Sequence, residues 1–87
     1  MSRSRVARDY RFIRDAFQGD RLFVKDVETD AMNIYRVLST IQDDTSREVH
    51  LLLRAEEGPE AGNGSEPFTA TFAWNEVVLL EEEGLYL

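Results

Sequence analysis

Nucleophilic catalysis requires a Ser, Cys, Thr or Lys held beside a base. This chain offers one lysine (Lys25), one histidine (His50) and no cysteine. His50 lies in an alternating apolar stretch and reads as a strand side chain on the more polar face. Without thiols there is no disulfide and no Cys-ligated zinc, so apolar packing alone must hold the fold. Carboxylates are abundant at Asp43-Asp44, Glu56-Glu57 and Glu81-Glu82-Glu83. None of these runs has calcium-loop spacing, and neighbouring residues on a strand point to opposite faces, which separates adjacent acids. Gly58, Gly62 and Gly64 lie in an acidic stretch with no Lys-Ser or Lys-Thr after them, which excludes a phosphate-cradling loop. The inventory points away from an enzyme and requires no cofactor or metal.

Charge is the informative feature. The formal net charge is -7, and it is unevenly divided. Residues 1 to 25 hold seven basic residues (Arg3, Arg5, Arg8, Arg11, Arg14, Arg21, Lys25) against Asp9, Asp15 and Asp20, a balance of +4. Residues 26 to 87 hold Arg36, Arg47 and Arg54 against fourteen acids, a balance of -11. Two binding readings follow. An acidic surface carrying Asp43, Asp44, Glu81, Glu82 and Glu83 would steer a partner with a basic surface. A basic N-terminal segment carrying Arg8, Arg11, Phe12 and Arg14 would contact phosphates, with an aromatic side chain stacking on a base. Net negative charge favours the first. The bland account of the arginines is that they pair with the protein's own acids.

The elements that must position these residues are read from periodicity. Val6, Tyr10, Ile13 and Phe17 recur at steps of four, three and four, the stripe of an amphipathic helix, and Gly19 stands where a C-terminal cap would fall. On that helix Arg8, Arg11 and Arg14 occupy the opposite side, with Phe12 partly exposed among them. From Arg21 onward, runs rich in Val, Ile, Leu, Phe and Thr alternate with polar clusters and read as strands. The segment 31 to 42 fits either a helical stripe or a strand. The Asp-Asp-Thr-Ser sequence that follows is ordinary hairpin chemistry and favours the strand. Residues 47 to 56 alternate cleanly. Residues 57 to 67 gather both prolines and three glycines and read as a flexible surface loop. Phe68, Ala70, Phe72 and Trp74 then share one face, and Asn75-Glu76 reads as a tight turn, a bulge or the bend of one long strand.

These elements predict an α+β fold in one domain spanning 1 to 87. An N-terminal amphipathic helix packs on a four- to five-stranded antiparallel sheet or small barrel, its stripe against Phe68, Phe72 and Trp74. Small barrels of the SH3 or Sm type have a comparable order of elements, but the glycine-bearing signatures of Sm proteins are absent. No apolar run approaches the roughly 18 residues of a membrane span, and no secretory signal follows the first residues, so the cytoplasm is the expected compartment. The functional expectation is a small acidic protein-interaction module, an inhibitor or regulatory subunit that binds a basic protein surface. A nucleic-acid accessory acting through the arginine segment is the alternative. At this chain length self-association is a further route to stability.

Overall fold

A computed structural model describes residues 3–59, 61 and 66–86, with the backbone alone for 3–7 and 83–86. It corrects the α+β expectation: the described residues form one six-stranded antiparallel sheet and no α-helix. The strands are β1 (Arg3–Phe12), β2 (Arg21–Lys25), β3 (Met32–Asp43), β4 (Glu48–Glu57), β5 (Phe68–Ala73) and β6 (Val77–Tyr86). A single 3-10 turn, Ile13–Asp15, follows β1. The segment read as a basic helix is therefore a strand. Val6 and Tyr10 are four apart, a step even in number, so they satisfy both a helical and a strand repeat. Ile13 tipped the pattern towards a helix, but it belongs to the 3-10 turn beyond the strand.

That correction redistributes the stripe. Ile13 is fully buried, whereas Tyr10 is 71% and Phe17 65% exposed. Neither ring anchors the segment on Phe68, Phe72 and Trp74. Phe12 is partly exposed, as its position suggested. The strand over 31 to 42, the acidic hairpin turn and the alternating strand after it are all present as β3, the turn at 44–47 and β4. The first of the runs after Arg21 forms β2, which stops at Lys25. The expected loop at 57 to 67 lies partly outside the described residues. Of its described part, Glu57 completes β4, and Gly58 has a left-handed φ of 99°. A side-chain carbon at Gly58 would collide with the Met32 carbonyl oxygen, so glycine is required there for space as well as for conformation.

The sheet order is β1-β6-β2-β3-β4-β5. Because every neighbouring pair is antiparallel, β5 and β6 run in the same sense, so Trp74–Glu76 is a corner and no hairpin. In a flat sheet these two strands would lie four spacings, about 19 Å, apart. The three intervening residues span at most about 14 Å between strand ends. The sheet must therefore curl, and register irregularities in the β3–β4 ladder at Ile34/Tyr35 and Val37/Ser39 supply local bending. Its concave face holds the core of Leu22, Val37, Val49, Leu51, Leu53 and Leu80, with Ile13 and Ala16 entering from the segment after β1. Each large side chain buried there contributes roughly 1.5–3 kcal/mol relative to exposure.

Candidate interaction surfaces

Alternation on the strands sends Arg8 of β1, Glu81 of β6, Arg21 of β2, Arg36 of β3 and Glu56 of β4 to the convex face in one row across five strands. They interlock. Glu81 accepts hydrogen bonds from Arg8 Nη2 at 2.7 Å and from Arg21 Nη1 at 3.3 Å, and Glu56 faces Arg36 Nε at 3.0 Å and Arg21 Nε at 3.5 Å. Arg36 also donates to the Gly19 carbonyl at 2.7 Å. Arg8 additionally lies over the Phe23 ring, 4.4 Å from its centre. Glu81 is only 4% exposed, so its carboxylate faces the protein's own guanidinium groups. Glu82, the next residue along, pairs with Arg11 at 2.8 Å.

A second arginine cluster is built differently. Arg14, in the 3-10 turn, stacks on Phe12 at 4.2 Å and on Trp74 at 4.7 Å, and Arg47 approaches the Trp74 ring at 5.6 Å. Backbone contacts fix this stack: the Trp74 N–H donates to the Arg47 carbonyl at 3.0 Å, and Gln42 Nε2 donates to the Arg14 carbonyl at 2.7 Å. Arg47 carries a left-handed φ of 56° at the end of the β3–β4 turn, which aims its side chain back at the corner. Among the described residues, Arg14 and Arg47 form no ion pair.

The acidic residues singled out in the sequence thus part company. Asp43 Oδ1 accepts the Thr45 and Ser46 N–H groups at 3.0 and 3.2 Å, closing the turn. The Ser46 backbone donor, followed by its side chain and the Thr45 N–H, holds the Asp43 carboxyl below its ordinary range. Asp44 is exposed beside it, and Glu48 pairs with Asp43 in the strand register, so three carboxylates gather at this hairpin. Glu83 is placed by its backbone alone, opposite Val6. Asp20, which the charge pattern did not single out, is buried and accepts the Phe17 N–H at 2.8 Å. Burial raises its pKa, Glu82 adds to the rise, and the Phe17 N–H and Arg11 oppose it.

Between the end of β2 and the start of β6 the ladder lapses, since β2 pairs with β6 only over Leu79–Glu81. A groove of about 380 Å³ opens there, lined by Tyr10, Phe23, Met32, Phe72, Val77 and Val78 among others. Its lining is mostly apolar and also includes Glu76 and Lys25, whose ammonium pairs with Asp30 at 2.8 Å. His50 faces Thr71 Oγ1 at 2.9 Å on the convex face and lies near enough to Asp43 to help hold its carboxyl down. Among the described residues no group of three metal-ligating side chains converges, and no helix is long and apolar enough to cross a membrane. No family model, characterised protein or solved structure matches this chain.

The role of Arg47 and Trp74 was not visible in the sequence. Trp74 carries the parity of the concave face of β5 but lies just past its last residue, where the corner turns it towards Arg14. The positive φ of Arg47 has no sequence signature comparable to Asn or Gly.

Proposed function

We propose that the protein is a small non-enzymatic interaction module that binds a partner protein through the partner's basic surface. One observation carries this reading. Arg8, Arg11, Arg21, Lys25 and Arg36 are each engaged with the chain's own carboxylates, while Asp44, Glu48, Glu57, Glu66 and Glu76 make no ion pair among the described residues. Each such pair also cancels a carboxylate, so the excess of acid survives the pairing, and among the described residues these unpaired acids outnumber the unpaired cations Arg14, Arg47 and Arg54. Exposed carboxylates steer a basic partner and set its association rate, at little cost to stability. Within the originally singled-out set this assigns the contact to Asp43 and Asp44, joined by Glu48. Glu81 is buried in the convex row, and Glu82, partly exposed, pairs with Arg11.

A second reading has its own support. Arg14 and Arg47 flank an indole without carboxylate partners, and an arginine–aromatic stack suits a single-stranded nucleic acid. Fluorescence anisotropy with a labelled arginine-rich peptide and, separately, a labelled single-stranded oligonucleotide distinguishes the two. The expected result is salt-sensitive peptide binding that weakens several-fold in Asp44→Lys/Glu48→Lys and is unchanged in Arg14→Ala. Those two acids are the informative pair because Asp43 also closes its turn. Oligonucleotide binding lost in Arg14→Ala, with no binding of the peptide, would transfer the assignment to the arginine stack.

A further inference from the structure

The sheet has two edges, and they are unlike. β1 carries Arg3, Arg5, Arg8, Asp9 and Arg11 in ten residues, a density of charge that discourages pairing with another strand. β5 reads Phe68-Thr69-Ala70-Thr71-Phe72-Ala73, with no charge, no proline and high β propensity throughout. It hydrogen-bonds to β4 on one side, and no strand among the described residues pairs with its other side. Its concave-face residues are also incompletely covered. Val49, Leu51 and Leu53 of β4 are buried, whereas their β5 neighbours Phe72, Ala70 and Phe68 are partly covered or, for Phe68, 43% exposed. An added strand would satisfy the free backbone groups and cover these side chains in one step.

The occupant follows from the sequence of β5 itself. Residues 68 to 72, Phe-Thr-Ala-Thr-Phe, read the same in both directions. In an antiparallel pair, opposed residues lie on the same face of the sheet, so a strand with this symmetry matches an inverted copy of itself. With Ala70 on the two-fold axis, Phe68 faces Phe72 of the second copy on the concave side, and Thr69 faces Thr71 on the convex side. The register sets aromatic against aromatic and hydroxyl against hydroxyl, both favourable cross-strand pairings. No like charges are opposed, a condition that few segments of a chain with net charge -7 can meet.

We propose that β5 is a self-association edge, joining two copies of this chain into an isologous dimer with a continuous sheet. The contact is short and falls at the small end of protein interfaces, so the dimer forms in the micromolar to millimolar range. This inference is independent of the acidic-surface reading, since it uses neither Asp44 nor Glu48.

Sedimentation equilibrium over a concentration series tests the association, and charge placement tests the register. The wild type should move from monomer to dimer as concentration rises. Thr69→Lys/Thr71→Lys places two like-charged pairs across the axis and should weaken association about tenfold or more. Thr69→Lys/Thr71→Glu changes the same two positions but creates two opposite-charge pairs, and should restore the dimer. Should the doubly basic variant not fold, as judged by far-UV circular dichroism, the single variants Thr69→Lys and Thr71→Glu take its place. Their equimolar mixture should then associate more strongly than either alone. A wild type that stays monomeric at the highest concentration overturns the proposal. So does a dimer that is indifferent to charge at positions 69 and 71, because its interface must then lie elsewhere.

Discussion

The two arginine clusters use one side chain in two ways. In the convex row, Arg8, Arg21 and Arg36 meet Glu81 and Glu56, so most of their positive charge is offset by the chain's own carboxylates. At the corner, Arg14 and Arg47 meet the faces of Phe12 and Trp74. A ring attracts a cation through its quadrupole without neutralising it. The row is therefore an internal fastening across five strands, and the corner keeps its charge available to the outside. The difference shows that a count of basic residues is a poor guide to a surface field. What matters is which partner the fold brings to each.

Removing the centre of the row should have the largest effect. Glu81→Ala leaves Arg8 and Arg21 without their shared carboxylate and should cost about 3 kcal/mol, read as a lowered midpoint in urea. A loss below about 1 kcal/mol would mean that the row behaves as ordinary surface charge. At the corner, Trp74→Ala removes the partly buried ring that Arg14 and Arg47 share, for an expected loss of about 2 kcal/mol. Arg14→Ala should cost less, about 1 kcal/mol, and unlike Glu81→Ala its effect should depend little on salt, because its contacts are with rings.

Two carboxyls sharpen the contrast through opposite signs of pH dependence. Asp20 has a raised pKa in the folded state, so stability increases as pH falls through that raised value and the gain is complete below the ordinary value of 3.8. Asp43 has a lowered one, so its contribution is present above 3.8 and is lost as pH falls through the lowered value. Asp20→Asn should flatten the thermal midpoint profile above pH 3.8, and Asp43→Asn should flatten it below. The effect of Asp43, which is less buried than Asp20, should be the smaller. A profile unaltered by either substitution would place the acid sensitivity elsewhere.

The strands β4 and β5 were legible because alternation and β-forming residues agree along them, whereas β3, whose periodicity fits a helix as well, was legible only through the turn chemistry that follows it. β1 was not. Its even positions, Val6, Arg8, Tyr10 and Phe12, trace a strand face, but the arginine interrupts the apolar pattern that would mark it. What makes Arg8 tolerable there is Glu81, directly opposite in the ladder and 73 positions away. No local window contains that information. The same distance separates the site as read from the site as built, since Glu81 and Glu82 could be recognised as paired within the chain only once Arg8 and Arg11 lay beside them. Asp43 and Asp44 kept their turn because its hydrogen bonds are local.

The pairing of β1 with β6 also bears on how the chain is made. Strands β2 to β5 meet neighbours close in sequence, so each hairpin can close soon after its second strand emerges from the ribosome. β1 leaves first, and its complementary strand begins at Val77. At about 5–20 residues per second, the roughly 65 residues between the end of β1 and the start of β6 take some 3–13 s to synthesise, far longer than the microseconds a hairpin needs. During that interval the nascent β1 is a solitary strand, and its charged side chains oppose association with other nascent chains. Residues that later become fastenings act first as a solubilising sleeve for a strand awaiting its partner.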